Sequence, residues 1–247
     1  MTTLVVTGGS RGIGAAVCVA AAAAGWDVVV DYVNDEARAL DVVRRIEDAG
    51  GHALAVRGDV SDPAAVEQLF AAADAWRGPV TGLVNNAGIS GGQARVDEVG
   101  AEALQRVLQV NVVGPFLCAG AAVRRMSTRH GGTGGSIVNI SSRAAVLGSP
   151  GEFVHYAATK GAIDTLTVGL ASEVATEGVR VNGIAVGLID TDFHDATGEV
   201  GRADRIRPTI PMKRSGTAEE VAAGVVWLLS DAASYTTGTT LAVSGGR

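Results

Sequence analysis

Tyr156 and Lys160 stand four residues apart. That is one turn of an α-helix, so a helix over this stretch projects both side chains from one face. A phenol with a pKa near ~10 is a poor proton donor or acceptor at neutral pH. A neighbouring ammonium favours the phenolate and draws the group toward the working range. Each tenfold gain in acidity needs about 1.4 kcal/mol of differential stabilisation. Ser142 lies upstream, and a glycine-rich turn occupies residues 7–14. In this order and at these distances the four features describe a site that moves a hydride and a proton. Taken alone, the tyrosine and lysine read first as a surface pair on an amphipathic helix, and it is the other motifs in register that reverse this.

The glycine-rich end has its own logic. Residues 3–14 read TLVVTGGSRGIG, an apolar run followed by a turn and a helical pattern. Glycine lets the backbone turn tightly and approach a pyrophosphate, and the helix N-terminus offers free N–H groups and a favourable dipole. A plain tight turn remains the alternative. Asp59-Val60 follows the third apolar run and is placed to meet an adenine. Asn85-Asn86-Ala87-Gly88 follows the fourth and would lie under a ribose. Asn86 fits equally a turn-former that satisfies local backbone groups.

Seven apolar runs would carry these groups: 3–7, 27–32, 53–57, 80–85, 136–141, 179–185 and 239–243. Short continuous runs of this kind suit a parallel sheet covered on both faces. Helical patterns fall between them, at about 12–24, 35–49, 63–76, 101–127, 155–177 and 218–230. Asp62-Pro63 places a cap residue before a proline at the first helical position, and Thr217 to Glu220 reads as a capping box. The alternation predicts a single doubly wound α/β domain of the Rossmann type over residues 1–247, a seven-stranded parallel sheet with helices on both faces. Hydrophobic residues make up 47% of the chain and aromatics only 4%, so the interior must be built from small aliphatic side chains. The least regular stretch, about 188–213, reads as a mobile lid or insertion over the substrate.

Composition narrows the function. A formal net charge of −6 argues against nucleic acid or an anionic membrane as the main partner. Cys18 and Cys118 lie in apolar helical patterns and read as small core residues. The histidines are scattered, so no metal site is expected. The chain enters a strand at once, without a leader, and no apolar run approaches the ~20 residues of a membrane span. A cytoplasmic protein is expected.

The motifs TGGSRGIG at 7–14, NNAG at 85–88, Asn111 in a long helix, Ser142 after VNIS and YAATK at 156–160 together resemble the short-chain dehydrogenase/reductase (SDR) family. The resemblance extends to the terminal VSGG at 243–246 and so covers essentially the whole chain. It implies four roles. Tyr156 is general acid in reduction and base in oxidation. Lys160 lowers its pKa and bonds the nicotinamide ribose. Ser142 hydrogen-bonds the substrate oxygen, and Asn111 holds a water that links Lys160 to solvent. Ser142, the second of two serines, fits the family pattern, although the spacing to Tyr156 is one residue longer than in many members. Cofactor contacts carried over by the motifs are Gly8, Ser10, Arg11, Gly12, Ile13, Gly14, Tyr32, Asp59, Val60, Asn86, Ala87, Gly88, Gly187, Ile189 and Thr191, with Tyr156 and Lys160. Val186-Gly187 stands where the family commonly has Pro-Gly. By the same comparison, the acid that selects NAD would fall at position 32, which is Tyr. Asp31, one residue earlier, points to the other face of the strand. Arg11 resembles the basic residue that NADP-using members set against the 2′-phosphate, or is a solvated cation. NADP(H) is favoured, NAD(H) possible.

The resemblance also implies a homotetramer, with a dimer as runner-up, and a small carbonyl or alcohol substrate. A 3-oxoacyl-(acyl carrier protein) reductase, a sugar or polyol dehydrogenase, and a non-catalytic dinucleotide-binding regulator are the alternatives. Glu177 stands where carrier-protein reductases tend to be basic. Arg124, Arg125 and Arg129 keep that substrate in view. Arg202, Arg205 and Arg207 cluster in the lid region and read first as a solvated charge run, with an anionic substrate or the cofactor phosphates as the alternative. Gln93, Glu152, Phe153, Phe193 and His194 are candidate substrate contacts.

Overall fold

The computed structural model describes residues 2–191 and 201–247. Seven strands form one parallel sheet: β1 (Thr3–Val6), β2 (Asp27–Tyr32), β3 (His52–Arg57), β4 (Val80–Asn85), β5 (Gly135–Ser142), β6 (Val179–Val186) and β7 (Thr240–Val243). The order across the sheet is β3-β2-β1-β4-β5-β6-β7. The strand sequence therefore reverses direction between β1 and β4, which opens a crevice at their C-terminal ends. Each expected strand is present within about two residues of its reading.

Alternate side chains explain the continuous apolar runs. Val6, Val30, Val84, Val138 and Ile184 point into one buried cluster, while Val5, Val29, Leu83, Ile137 and Val181 point into another on the opposite face. Period two on a strand with both faces covered makes most positions apolar, and polar exceptions such as Asn139 and Asn182 are buried and hydrogen-bonded. The first layer of helices comprises α1 (Gly12–Ala23), α2 (Glu36–Asp48) and α9 (Ala218–Leu229). The second comprises α3 (Pro63–Arg77), α5 (Gly114–Met126) and α7 (Val154–Val174). The Asp62 side chain accepts from Ala64 N–H ahead of Pro63, and Thr217 and Glu220 complete the capping box of α9.

Three features differ from expectation. The helix over 101–127 is not uniform. It runs as α4 (Ala101–Leu108), a π-turn over Gln109–Val113, then α5. Such π-turns disturb the regular ladder and occur often at functional sites, and this one carries Asn111. Second, the composite run Ala101–Met126 is long and apolar enough to cross a membrane by length and composition, although half of its apolar window is buried in the fold. Val107, Cys118, Ala122 and Met126 are fully buried there, so the apolarity serves the core. Third, a one-turn helix, α6 (Ala144–Leu147), follows β5. The stretch expected as a lid falls partly outside the described residues, and with it Phe193 and His194. Its described end holds α8 (Arg202–Ile206), and Ile206 and Ile210 pack on Leu188 as a small cluster of their own.

Candidate active site

A cleft of about 630 Å³ opens at the C-terminal ends of the strands. At one end it meets the glycine turn. Gly8 has φ +61°, a backbone region that a side chain would strain. A Cβ at Gly14 would lie 2.3 Å from the Gly8 carbonyl oxygen and 2.5 Å from Asn86 Nδ2, so only glycine lets α1 start this close to the turn. Arg11 precedes α1 and gives it no side-chain cap, which leaves the first N–H groups of the helix for a ligand. This cradle fits a pyrophosphate.

Asn86 holds that turn from the side. Its Nδ2 donates to the carbonyls of Thr7 and Gly8 at 2.9 and 3.0 Å, while the Thr7 hydroxyl accepts from the N–H groups of Asn86 and Ala87. The asparagine is therefore a latch between the ends of β1 and β4. Asp31 works from below. Its Oδ2 accepts from Gly8 N–H at 3.0 Å, and Oδ1 is buried without a partner. Burial pushes the Asp31 carboxyl up to about 7, with nearby Asp59 adding to the rise and the Gly8 bond opposing it. Tyr32 packs with its hydroxyl on Glu36 Oε1 at 3.1 Å, so position 32 presents a phenol to the cleft and no carboxylate. Arg11 is exposed, and among the described residues it forms no ion pair.

Asp59 and Val60 line the same end. Asp59 Oδ2 pairs with Arg106 Nη2 at 2.8 Å, and Arg106 Nη1 also donates to Ser61 Oγ. The hydrogen bonds from Ser61 and the Arg106 guanidinium together outweigh partial burial and lower the Asp59 pKa. Sequence reasoning missed Arg106. Its partner lies 47 residues away, and no local pattern marks such a pair.

The chemical end lies across the cleft. Lys160 is 5% exposed, its Nζ donates to the Ile140 carbonyl at 2.7 Å, and it stands 5.6 Å from the centre of the Tyr156 ring. Burial lowers its pKa to about 8, partly countered by Asp164. Ser142 lines the cleft at the end of β5 and accepts from Ala144 N–H. Ser141 points the other way, fully buried, with its hydroxyl on the Lys160 carbonyl. Alternation along β5 decides between the two serines.

Asn111 and Gly14 belong to the expected set and do not line the cleft. Asn111 is buried at 1%. Its Oδ1 accepts from Ile89 N–H, and its Nδ2 donates to the Ile89 carbonyl and Thr159 Oγ1. A Cβ at Gly88 would lie 3.4 Å from Asn111 Oδ1 and 3.8 Å from Lys160 Nζ, so the asparagine stands behind Gly88 on the lysine side. Gly88, Ser10, Gly12, Ile13, Ala87, Gly187, Ile189 and Thr191 all line the cleft, and Thr191 Cγ2 lies 3.5 Å from where a Gly12 Cβ would be.

The substrate-side expectations divide. Phe153 is in the wall, whereas Gln93 is exposed outside it. Glu152 is held by Arg205 at 2.6 Å, and Arg207 pairs with Asp204. Arg124, Arg125 and Arg129 are paired with Glu67, Asp74 and Glu177. Arg143, next to Ser142, lines the cleft, and adjacency to the serine is the signal that would have found it. His155, beside Tyr156, is buried and its Nε2 meets the Ser90 carbonyl at 3.0 Å, which ties the loop after β4 to α7.

Known proteins share this chain's sequence and fold. A family model described as Enoyl-(Acyl carrier protein) reductase matches residues 8–247. The chain is 51% identical over 247 residues to YgfF of Escherichia coli K12, named an uncharacterized oxidoreductase, with all of both chains covered. It is 40% identical over 245 residues to glucose 1-dehydrogenase 2 of Bacillus subtilis, covering 99% of this chain and 93% of the other. Among solved structures, a blue fluorescent protein from a metagenomic library, in complex with NADPH, superposes with TM-score 0.91 at 35% identity, covering 99% of this chain and 97% of the other.

Proposed function

The chain belongs to the short-chain dehydrogenase/reductase family, and from that membership we propose that it works with NADP(H) through Tyr156, Lys160, Ser142 and Asn111. It is an oxidoreductase that transfers a hydride between a nicotinamide cofactor and an alcohol or carbonyl group of a small molecule. The observation that carries the proposal is the presence of Ser142, Tyr156 and Lys160 on one wall of a cleft whose other end is the glycine cradle.

The glycine turn, the start of α1 and Thr191 would hold the phosphates. Arg11 would meet a 2′-phosphate, and Asp59, Val60 and Arg106 would border the adenine. Bound there, the nicotinamide supplies a hydride to a carbonyl carbon or accepts one from an alcohol. In reduction, Tyr156 gives its proton to the carbonyl oxygen as charge develops on it, and Ser142 donates a hydrogen bond to the same oxygen. In oxidation Tyr156 takes the proton back. Lys160 stabilises the phenolate form of Tyr156 by its charge. Asn111 fixes the Ile89 main chain behind Gly88, and its Oδ1, which can accept a second hydrogen bond, would hold a water that links Lys160 to solvent.

NADP is favoured over NAD on two grounds: an exposed Arg11 beside the turn, and a carboxylate at position 31 that is buried with one oxygen on Gly8 N–H, while position 32 carries a phenol. Titration with NADPH and NADH, followed by fluorescence, tests this. Tenfold or tighter binding of NADPH, about 1.4 kcal/mol, is expected, with Arg11→Ala weakening NADPH far more than NADH. Preference for NADH, or equal effects of Arg11→Ala, would overturn the assignment. A carrier-protein substrate is disfavoured by Glu177, an acid where such reductases tend to be basic, and by the carboxylates that lie within ion-pair distance of Arg124, Arg125 and Arg129. A homotetramer, with a dimer as runner-up, is supported by exposed Phe116 and Val168 on α5 and α7, and by Trp227 and Leu241 on α9 and β7.

A further inference from the structure

Carboxylates line only one end of the cleft. Among the described lining residues, Asp31, Asp35 and Asp59 lie at or after the ends of β2 and β3, at the cofactor end, together with Arg11 and Arg106. The opposite end, formed by residues after β5 and β6 and by the last residues of the chain, presents Arg143 and Arg247. The formal net charge of the chain is −6, so a positive substrate end runs against the overall field.

Arg143 is half-buried and directly follows Ser142. Its Nε donates to the Arg247 main-chain oxygen at 2.6 Å, and Ser244 Oγ donates to that same oxygen at 3.0 Å. The tail therefore fixes the guanidinium from its Nε side. Among the described residues nothing pairs with the two terminal amino groups of Arg143. A partly desolvated guanidinium with a free end is a poor neighbour for a neutral polyol and a good one for a planar anion, which it binds with two parallel N–H···O bonds. Leu147, Phe153 and Leu188 supply apolar wall on the same side.

The geometry points to an oxo acid, or the matching hydroxy acid, as substrate: Arg143 binds its carboxylate while Ser142 and Tyr156 engage its oxo oxygen. This inference rests on the function proposed above and specifies its substrate class. In reduction the hydride adds to the oxo carbon, the Tyr156 proton goes to the oxygen, and the carboxylate is unchanged.

The test compares oxo acids of increasing chain length with their methyl esters, with NADPH, in wild type, Arg143→Gln and Ser244→Ala. The esters keep the reacting carbonyl and lose the charge. Wild type should favour acid over ester by about tenfold or more in kcat/KM, mainly through KM. Arg143→Gln should lower that ratio by about tenfold, whereas Ser244→Ala, which loosens the tail and keeps the guanidinium, should leave it within about twofold. An acid-to-ester ratio near one in wild type overturns the inference, as does an unchanged ratio in Arg143→Gln. An equal fall in Ser244→Ala would reassign Arg143 to anchoring the tail. Turnover of neutral ketones without preference for acids would defeat the inference and leave the function standing, whereas no turnover of any carbonyl compound with either cofactor would defeat both.

Discussion

Replacing Asp31 by Asn removes a charge from beneath the glycine turn and keeps an oxygen that can accept from Gly8 N–H. Burial raises the carboxyl from 3.8 to about 7. At about 1.4 kcal/mol per pH unit, the ionised form costs the folded protein about 4 kcal/mol once the pH exceeds both values. The sign follows from proton binding. The folded state holds the proton more tightly than the unfolded chain, so this contribution to stability is complete below the unfolded value. It is lost progressively as pH rises from about 4 to about 7, and is constant above that. About 3 kcal/mol of the loss falls between pH 5 and pH 8. The introduced side-chain amide would have one unpartnered group, as Asp31 Oδ1 has now. That cost is independent of pH, so the slope and not the absolute difference is diagnostic. The assay is equilibrium urea unfolding of both proteins without cofactor, at fixed protein concentration, across pH 5–8. Wild type should lose stability relative to Asp31→Asn by about 3 kcal/mol. A difference that changes by less than about 1 kcal/mol over that range would refute the argument that Asp31 is buried and weakly ionised.

Tyr156→Phe should bind NADPH with wild-type affinity and lose about a hundredfold or more of turnover, since a positioned acid contributes ~10²–10⁴; near-wild-type turnover would contradict the assigned role. Because burial holds Lys160 near 8, its charge disappears as pH rises through that value, so kcat for reduction should fall on the alkaline side with a midpoint near 8. A profile level from neutral into strongly alkaline pH would argue against a charge on Lys160 that matters. Arg106→Met should free Asp59 and weaken cofactor binding about fivefold, in line with ~1 kcal/mol for a partly exposed pair; calorimetric titration of both proteins reads it directly. Gly14→Ala should weaken NADPH binding by more than tenfold, because the new methyl group meets the Gly8 carbonyl at 2.3 Å and must displace the turn; unchanged affinity would mean that the turn is not the cradle.

The sequence by itself determined the sheet, its helices and the two ends of the cleft. These rest on local signals: period-two apolar runs, caps such as Asp62 and Thr217, and glycines that only a tight turn requires. Strand alternation was enough to send Asp31 and Tyr32 to opposite faces. Only the tertiary structure decided what depends on partners far along the chain. Asn86 and Thr7, Asp59 and Arg106, and Arg143 and Arg247 meet across 79, 47 and 104 positions, and no window of sequence contains both members. The same holds for charge. Arg124, Arg125, Arg129 and Arg205 each lie within ion-pair distance of a carboxylate that the sequence does not point to, whereas Arg143, which carried no motif, retains an open guanidinium end in the cleft. The π-turn at Asn111 also escapes a helical pattern, because the run 101–127 is apolar on more than one face and so hides the change of phase that the extra residue brings. Local propensity sets which elements form. Burial and pairing, which exist only after those elements pack, set which of their polar groups remain available for chemistry.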